Sequence, residues 1–301
     1  MSTAQLIVDA RNSVGESPVW HPADKALYWV DIVQKKLCQW TASSAQVRTF
    51  AASEMIGCIA MHSAGGWIAG MESGIFHLNL PSQEQGDALQ ATCLVAAPHS
   101  TSGMRFNDGR CDRQGRFVAG TMMINMAAGQ GNPCLSSYEN NSNLKQLVGG
   151  MIVPNGLAFS PDGRTMYLSD SHPSVQTVWA FDYDTATGTP SNRRVLVDMH
   201  PLPGRPDGAA VDADGCYWIC GNDAGLVHRF TPQGKLDQSL AVPVKKPAMC
   251  AFGGDDMRTL FVTSIRPEGI DLADQPLAGG VFALRPGVQG LPEPAFEGHP
   301  I

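Results

Sequence analysis

The stretch Pro154-Asn-Gly-Leu-Ala-Phe-Ser-Pro-Asp-Gly163, followed by Thr165-Met-Tyr-Leu168, carries the pattern that decides the fold. A short apolar run ends in a Ser-Pro-Asp-Gly turn, and a second apolar run with an aromatic residue follows. Segments of this kind, bounded by turn residues, are typical of antiparallel β-strands. Asn155 serves as the anchor of the pattern, with Ser160 five positions later and Gly163 eight positions later.

The same spacing occurs six times along the chain. The anchors stand 41 to 52 residues apart and are Glu16, Gly57, Asn107, Asn155, Asp207 and Ala248. A repeat of about 40–50 residues is typical of one four-stranded propeller blade. The sequence therefore predicts an all-β fold, a single six-bladed β-propeller domain of four-stranded blades over residues 1–301. The run Gln5-Leu-Ile-Val-Asp9 is expected to pair into the last blade and close the ring. A β-sandwich or two small β domains would not explain the six copies.

Composition excludes several classes of function. The formal net charge is -7, and the basic footprint of a nucleic-acid-binding protein is missing. No apolar run approaches the roughly 18 residues of a membrane span, so no membrane partner is expected. The start Met1-Ser-Thr-Ala-Gln5 does not resemble a secretory signal, and we expect a cytoplasmic protein with its eight cysteines reduced. Solvated loops are predicted at 83–87 and 127–132, and the oligomeric state is not predicted.

Equivalent positions of six blades face one another near the propeller axis, where the inner strands line a channel. Four anchors carry oxygen donors, namely Glu16, Asn107, Asn155 and Asp207. One Asn-Gly or Asp-Gly pair alone is more often a turn, but converging carboxylates need a partner when they are buried. The set therefore predicts one divalent cation, Ca²⁺, Mg²⁺, Mn²⁺ or Zn²⁺. The absence of His and Cys from the set argues against a dedicated zinc site.

Four ordered motifs resemble the senescence-marker-protein/gluconolactonase family, which includes regucalcin and bacterial sugar lactonases. They are Glu16-Ser-Pro-Val-Trp20, Arg105-Phe-Asn-Asp-Gly109, Pro154-Asn-Gly-Leu-Ala158 with its Ser-Pro-Asp-Gly turn, and Pro206-Asp-Gly208. The resemblance extends from about Glu16 to Gly280. It implies a six-bladed propeller with one divalent metal in the channel, and by motif position the metal ligands are Glu16, Asn155 and Asp207.

The resemblance also implies substrate contacts. They fall on Arg105 and Asn107, although an Asn at this place is itself a metal ligand in related phosphotriesterase propellers, so the role of Asn107 stays open. The regucalcin branch carries a substrate-contacting Glu shortly after an Ala-Gly-Thr-Met motif. Here that motif is Ala119-Gly-Thr-Met122, and Asn125 stands at the corresponding position. An uncharged amide there would suit a different hydroxyl pattern or an altered substituent on the sugar acid.

These residues predict a metal-dependent lactonase that opens a sugar-acid lactone such as gluconolactone to the aldonic acid. The metal would act as a Lewis acid, Asp207 as the general base, and Arg105 as a clamp on a ring oxygen or an anionic group. A promiscuous esterase or organophosphate hydrolase on the same metal, and a non-catalytic calcium-binding propeller, remain as alternatives. Asp170 is expected either to hold a metal ligand or a water next to the metal site, or to cap a strand-end turn. His172 is expected either to contact the substrate or to be solvated.

Overall fold

The computed structural model describes residues 3–82, 86–126, 131–139 and 143–298. Within these ranges the named elements are 24 β-strands with no helix among them. They form six sheets of four strands, and neighbouring strands run antiparallel. The loops predicted at 83–87 and 127–132 fall largely on residues 83–85 and 127–130, which lie outside the described residues.

The strands of the first three blades follow the chain order from the axis outwards. Blade one is β2 (Gly15–His21), β3 (Ala26–Asp31), β4 (Lys36–Thr41) and β5 (Val47–Ala51); blade two is β6 (Ile56–Met61), β7 (Trp67–Met71), β8 (Gly74–Asn79) and β9 (Gln90–Ala96); blade three is β10 (Met104–Cys111), β11 (Phe117–Met123), β12 (Leu135–Tyr138) and β13 (Leu144–Val148).

The last three blades repeat this order, except that the final blade takes its outer strand from the start of the chain. Blade four is β14 (Pro154–Phe159), β15 (Thr165–Asp170), β16 (Thr177–Asp184) and β17 (Thr189–Asp198); blade five is β18 (Arg205–Val211), β19 (Tyr217–Asn222), β20 (Leu226–Phe230) and β21 (Leu236–Ala241); blade six is β22 (Pro247–Gly253), β23 (Thr259–Ser264), β24 (Val281–Leu284) and β1 (Gln5–Val8). The predicted closure by the N-terminal strand is confirmed, since Gln5 pairs with Ala283.

The first strand of each blade contacts the first strand of the next, from β2 through β6, β10, β14 and β18 to β22 and back to β2. This closed circle makes the protein a six-bladed β-propeller and confirms the predicted fold. All six anchors lie on these inner strands. The described residues contain no helix that could span a membrane.

A break in strand register occurs at the anchor of every blade. The pairing of the inner strand with its neighbour shifts just after Glu16 and Asn155, and equivalent shifts occur in the other four blades. Such a bulge bends the strand and changes the direction in which a side chain points. Two residues that follow an anchor have left-handed backbones, Ser17 with φ 50° and Gly156 with φ 59°. The bulges therefore explain why a strand residue at each anchor can face the channel.

The hydrophobic core lies between neighbouring blades rather than at the axis. Tyr28 of blade one packs on Trp67 of blade two with ring centroids 4.5 Å apart, and Tyr167 of blade four packs on Tyr217 of blade five at 5.0 Å. Five tryptophans of the blade strands are buried: Trp20, Trp29, Trp67, Trp179 and Trp218. The axis is thereby left to polar side chains.

The C-terminal segment crosses the end of the channel at which the inner strands terminate. Gly290 pairs with Asp212, and Phe296 pairs with His62 and is 2% exposed. Between these points, Glu293 Oε1 lies 3.0 Å from Nη1 of Arg110, close to the last residue of β10. The segment thus covers this end of the channel, and the opposite end is where the inner strands begin.

Candidate functional site

The predicted site residues lie at the end of the channel where the inner strands begin. Glu16 and Asn155 are each the second residue of an inner strand, and Asp207 is the third residue of β18. Arg105 and Asn107 are the second and fourth residues of β10. Asn155 and Asp207 are 5% and 7% exposed, and Glu16 is half-buried. The structure therefore brings five of the predicted residues to one end of the axis.

Two amides hold the Asp207 carboxylate from opposite sides. Asn155 Nδ2 donates to Oδ1 at 2.5 Å, and Asn222 Nδ2 donates to Oδ2 at 2.6 Å. Asn222 is the last residue of β19 and is 3% exposed. Because each carboxylate oxygen can accept about two hydrogen bonds, each oxygen of Asp207 keeps a lone pair for another partner. The contacts fix the plane of the carboxylate without using up its acceptor capacity.

Ser171 determines which way the Asn155 amide faces. The Ser171 hydroxyl donates to the Pro206 carbonyl at 2.6 Å, so Oγ is left as an acceptor for Asn155 Nδ2 at 3.0 Å. Asn155 Oδ1 then turns to the backbone N–H of Gly156 at 3.2 Å. The amide oxygen of Asn155 is consequently presented with a free lone pair.

Negative charge accumulates at this end of the channel. Burial, followed by the charges of Asp207 and Asp108, raises the pKa of Glu16 well above its ordinary value, and Arg105 opposes this shift. Burial also raises the pKa of Asp207 to about 7, against the hydrogen bond from Asn222. Asp108 lies in the same channel, and its buried Oδ1 has no hydrogen-bond partner in the described structure. These three neighbouring carboxyl groups, of which Asp108 and Asp207 are buried, favour the binding of a cation.

The donor set fits a hard divalent cation. No three His, Cys, Asp or Glu side chains of the described residues are grouped so as to hold a metal ion. The predicted set contains two carboxylates, Glu16 and Asp207, and its third member is the amide of Asn155. Carboxylate and amide oxygens are the ligands that Ca²⁺, Mg²⁺ and Mn²⁺ prefer. Burial is the main cause of both raised pKa values, and a cation between the two groups would favour their charged forms.

Arg105 and Asn107 form a unit beside the carboxylates. Arg105 Nη1 donates to Asn107 Oδ1 at 2.9 Å and to the Phe106 carbonyl at 2.8 Å. Asn107 Nδ2 donates in turn to the Pro154 carbonyl at 3.1 Å. Burial lowers the pKa of Arg105 to about 10, so the guanidinium is charged at neutral pH. Because the Asn107 oxygen faces a cationic group, this geometry favours a role in holding Arg105 over a role as a metal ligand.

Three other predicted residues lie outside this group, with Asn125 exposed and Asp170 buried. Asn125 follows the last residue of β11 closely and is exposed. His172 bonds Ser174 Oγ through Nδ1 at 2.7 Å in an exposed position. The carboxylate of Asp170 accepts the backbone N–H groups of Ile152 at 2.7 Å and Val153 at 3.1 Å. Of the two readings of Asp170, the structure therefore supports the cap of a strand-end turn.

Asn222 is the site residue that the sequence reasoning missed, and a signal for it existed. The second strands of blades one and four end in Asp31 and Asp170, which cap the backbone of the preceding loop. At the same place blade five has Asn222, which is turned towards Asp207 instead. An aspartate there would put a second negative charge against Asp207, whereas an amide can donate a hydrogen bond. The departure from the repeat was visible in the sequence.

Comparisons with known proteins identify the family of the chain. The family described as SMP-30/Gluconolactonase/LRE-like region matches residues 14–266. A 6-deoxy-6-sulfogluconolactonase of Pseudomonas putida is 38% identical over 299 residues, which cover 98% of this chain and 99% of that protein. Regucalcin of Danio rerio is 33% identical over 298 residues, with 98% of each chain covered.

A solved structure has the same architecture. The structure of a calcium-binding protein, regucalcin, from Agrobacterium tumefaciens superposes with a TM-score of 0.88 at 26% identity and covers 98% of each chain. The fold and the sequence relatives agree along almost the whole chain. The chain belongs to the SMP-30/gluconolactonase/LRE-like family of sugar lactone hydrolases and their relatives.

Proposed function

We propose that this protein, as a single propeller domain, hydrolyses the lactone of a sugar acid, such as gluconolactone, to the free aldonic acid. The proposal includes one divalent cation, Ca²⁺, Mg²⁺, Mn²⁺ or Zn²⁺, held by Glu16, Asn155 and Asp207. The observation that supports it most is the Asp207 carboxylate, which is buried and held in one plane by two amides beside a second carboxylate. The eight free cysteines support a cytoplasmic location.

The cation would supply Lewis-acid stabilisation of the negative charge that develops on the lactone carbonyl oxygen. Asp207 takes the role of general base. With Asn155 on Oδ1 and Asn222 on Oδ2, the remaining lone pairs have fixed directions, and one of them can accept the proton of the attacking water. Preorganised groups of this kind need no reorientation during the reaction.

Arg105 orients the substrate in this proposal. Its Nη1 is occupied by Phe106 and Asn107, while Nε and Nη2 have no hydrogen-bond partner within the described residues. These two N–H groups present a fork to a ring or carboxylate oxygen of the sugar acid. Asn107 fixes the guanidinium from behind, and Asn125 at the rim is proposed to contact a substituent of the sugar.

The proposal is tested by acid release from a panel of substrates. Aldonolactones, an aryl ester and a phosphotriester are compared with wild type, Asp207→Asn, and Asn192→Ala as a remote control. We expect lactones to be hydrolysed fastest and only the Asp207 variant to lose activity. Faster turnover of the ester or the phosphotriester would favour the promiscuous hydrolase. Cation binding without turnover of any substrate would favour a calcium-binding propeller.

A further inference from the structure

Two basic side chains stand at the same channel end as the site. Arg205 is the first residue of β18, two positions before Asp207. Lys246 directly precedes β22, the inner strand of blade six. Their side chains are 27% and 26% exposed, so both line the mouth and still reach solvent.

A hydrogen-bonded chain connects the lysine to the site. Lys246 Nζ lies 3.5 Å from Asn222 Oδ1, and Asn222 Nδ2 donates to Asp207 Oδ2 at 2.6 Å. One side-chain amide therefore separates the ammonium from the Asp207 carboxylate. A ligand that reaches Asp207 also comes close to Lys246.

The two basic groups share one carboxylate. Asp223 accepts from Arg205 Nε at 2.7 Å and forms an ion pair with Lys246. Partial burial acts in the opposite direction, but the hydrogen bonds from Lys246 and Arg205 hold the pKa of Asp223 below its ordinary value. Asp223 is thus ionised at neutral pH, and the cluster Arg205–Asp223–Lys246 carries one net positive charge. Lys246 also keeps ammonium protons for a further acceptor.

The other side of the mouth has a different character. Met123, Met151 and Ile152 of blades three and four contribute to the lining of a cavity of about 270 Å³. The whole protein is negatively charged, with a net charge of -7, and the site itself contains carboxylates. The positive charge that would attract an anionic group of a substrate therefore lies on the side of the mouth formed by blades five and six.

We propose that Lys246 and Arg205 form a subsite for an anionic substituent on the substrate lactone, at the end of the carbon chain remote from the carbonyl. This inference rests on the proposed lactonase function. The substrate class is an acidic sugar lactone whose terminal carbon bears a carboxylate, a sulfonate or a phosphate. Lys246 supplies a point charge, and Arg205 supplies Nη2, which has no partner in the ranges that the structure describes.

The direct test compares matched lactones. Glucono-1,5-lactone is measured beside counterparts that carry a phosphate, a sulfonate or a carboxylate on the terminal carbon. We expect kcat/KM to be at least about tenfold higher for an anionic lactone, which is the effect of one charge-assisted hydrogen bond. The ranking of the three anions identifies the substituent.

Two variants with opposite expected effects separate this role from structural damage. Lys246→Gln should lower the ratio of anionic to neutral kcat/KM about tenfold. Asp223→Asn removes the shared negative charge and should raise the ratio. Asp223 has a left-handed φ of 79°, a conformation that asparagine tolerates well. Lys245→Gln is the matched control, because the neighbouring Lys245 pairs with Asp274 and is 57% exposed.

Binding of the acid products provides a second readout by calorimetry. We expect 6-phosphogluconate to bind more tightly than gluconate, and Lys246→Gln to remove the difference. Equal kcat/KM for neutral and anionic lactones, or a ratio that Lys246→Gln leaves unchanged, would overturn the subsite while the lactonase function stands. If no lactone is hydrolysed, the proposed function fails, and the calorimetry alone decides whether the mouth binds anions.

Discussion

Asn222 Nδ2 lies 2.6 Å from Asp207 Oδ2, and this contact completes the clamp that Asn155 forms on the other carboxylate oxygen at 2.5 Å. Asn222 comes from the second strand of blade five and Asn155 from the first strand of blade four. Two blades therefore determine the orientation of one carboxylate. A rotation of that carboxylate would change the direction of its lone pairs towards the proposed cation and the proposed attacking water.

The first prediction concerns this clamp. Asn222→Ala should weaken binding of a divalent cation about 10- to 100-fold, as is typical for loss of a group that orients a ligand. Asn222→Asp should lower the thermal stability of the cation-free protein, because it adds a negative charge against Asp207. Calorimetric titration with Ca²⁺ and Mn²⁺ and thermal unfolding measure the two effects. Asn192→Ala, on an exposed strand beside Asp182, is the control. Unchanged cation affinity in Asn222→Ala would contradict the role of the clamp.

The second prediction concerns Gly156, next to Asn155. A Cβ there would lie 2.5 Å from Tyr217 Oη and 2.6 Å from Ser169 Oγ, and its φ is 59°. We expect Gly156→Ala to cost about 2–4 kcal/mol of unfolding free energy from overpacking and backbone strain together.

Gly150 provides the matched control for this substitution. Its φ is 69°, but a Cβ there would meet nothing within 4 Å. Gly150→Ala should therefore cost about 1 kcal/mol, the backbone contribution alone. Equal losses in the two variants, measured by denaturant unfolding, would show that the contacts of Gly156 are unimportant.

The fold could be predicted because its determinants repeat. Asn155 with its Ser-Pro-Asp-Gly turn has a counterpart in every blade, and a periodic pattern identifies the blades without knowledge of side-chain contacts. The same periodicity indicated that Glu16, Asn155 and Asp207 would converge. Symmetry places equivalent positions near the axis, so distance along the chain did not matter.

Other features were not predicted, because they depend on contacts that do not repeat. Asn222 acts at a position where two other blades have a capping aspartate, and the direction of its amide depends on the adjacent Asp207. Lys246 and Arg205 come together through Asp223 across two blades. The path of the C-terminal segment depends on where Phe296 is buried. The repeat pattern of the blades does not indicate this position.

A third prediction concerns pH and His228. This side chain is 1% exposed and bonds the Pro203 carbonyl through Nε2 at 2.9 Å. Burial lowers the pKa of His228 below its ordinary value, against the hydrogen bond to Pro203. The unfolded chain therefore binds more protons here than the native protein below about pH 6.5. The stability that the neutral ring contributes is present above that pH and is lost as the pH falls towards the native pKa.

The difference in unfolding free energy between wild type and His228→Gln isolates this effect, because titrations that both proteins share cancel in it. These include Glu16 and Asp207, whose raised pKa values change stability with pH in the opposite direction. We expect wild type to exceed the variant in unfolding free energy most at pH 7.5, with the difference becoming smaller at pH 5.5. Urea unfolding at both pH values measures it. A difference that does not change with pH would contradict the assignment.

A fourth prediction concerns the covered end of the channel. The Arg110 and Glu293 side chains are 9% and 20% exposed. Glu293→Ala leaves the Arg110 guanidinium buried with its closest carboxylate removed, and we expect a loss of about 2–4 kcal/mol in unfolding free energy. Glu268→Ala, in an exposed loop, should change stability by less than about 0.5 kcal/mol. A loss in Glu293→Ala no larger than that of the control would show that the C-terminal segment is held by Phe296 alone.

We expect lactone hydrolysis to require a divalent cation at Glu16, Asn155 and Asp207. The measurement is the rate of acid release from gluconolactone by protein stripped with a chelator, before and after addition of each of Ca²⁺, Mg²⁺, Mn²⁺ and Zn²⁺, with Asp207→Asn treated identically. We predict that the stripped protein shows only the spontaneous rate, that at least one cation restores activity, and that no cation restores it in Asp207→Asn. Full activity of the stripped protein, or equal restoration of the variant, would contradict it.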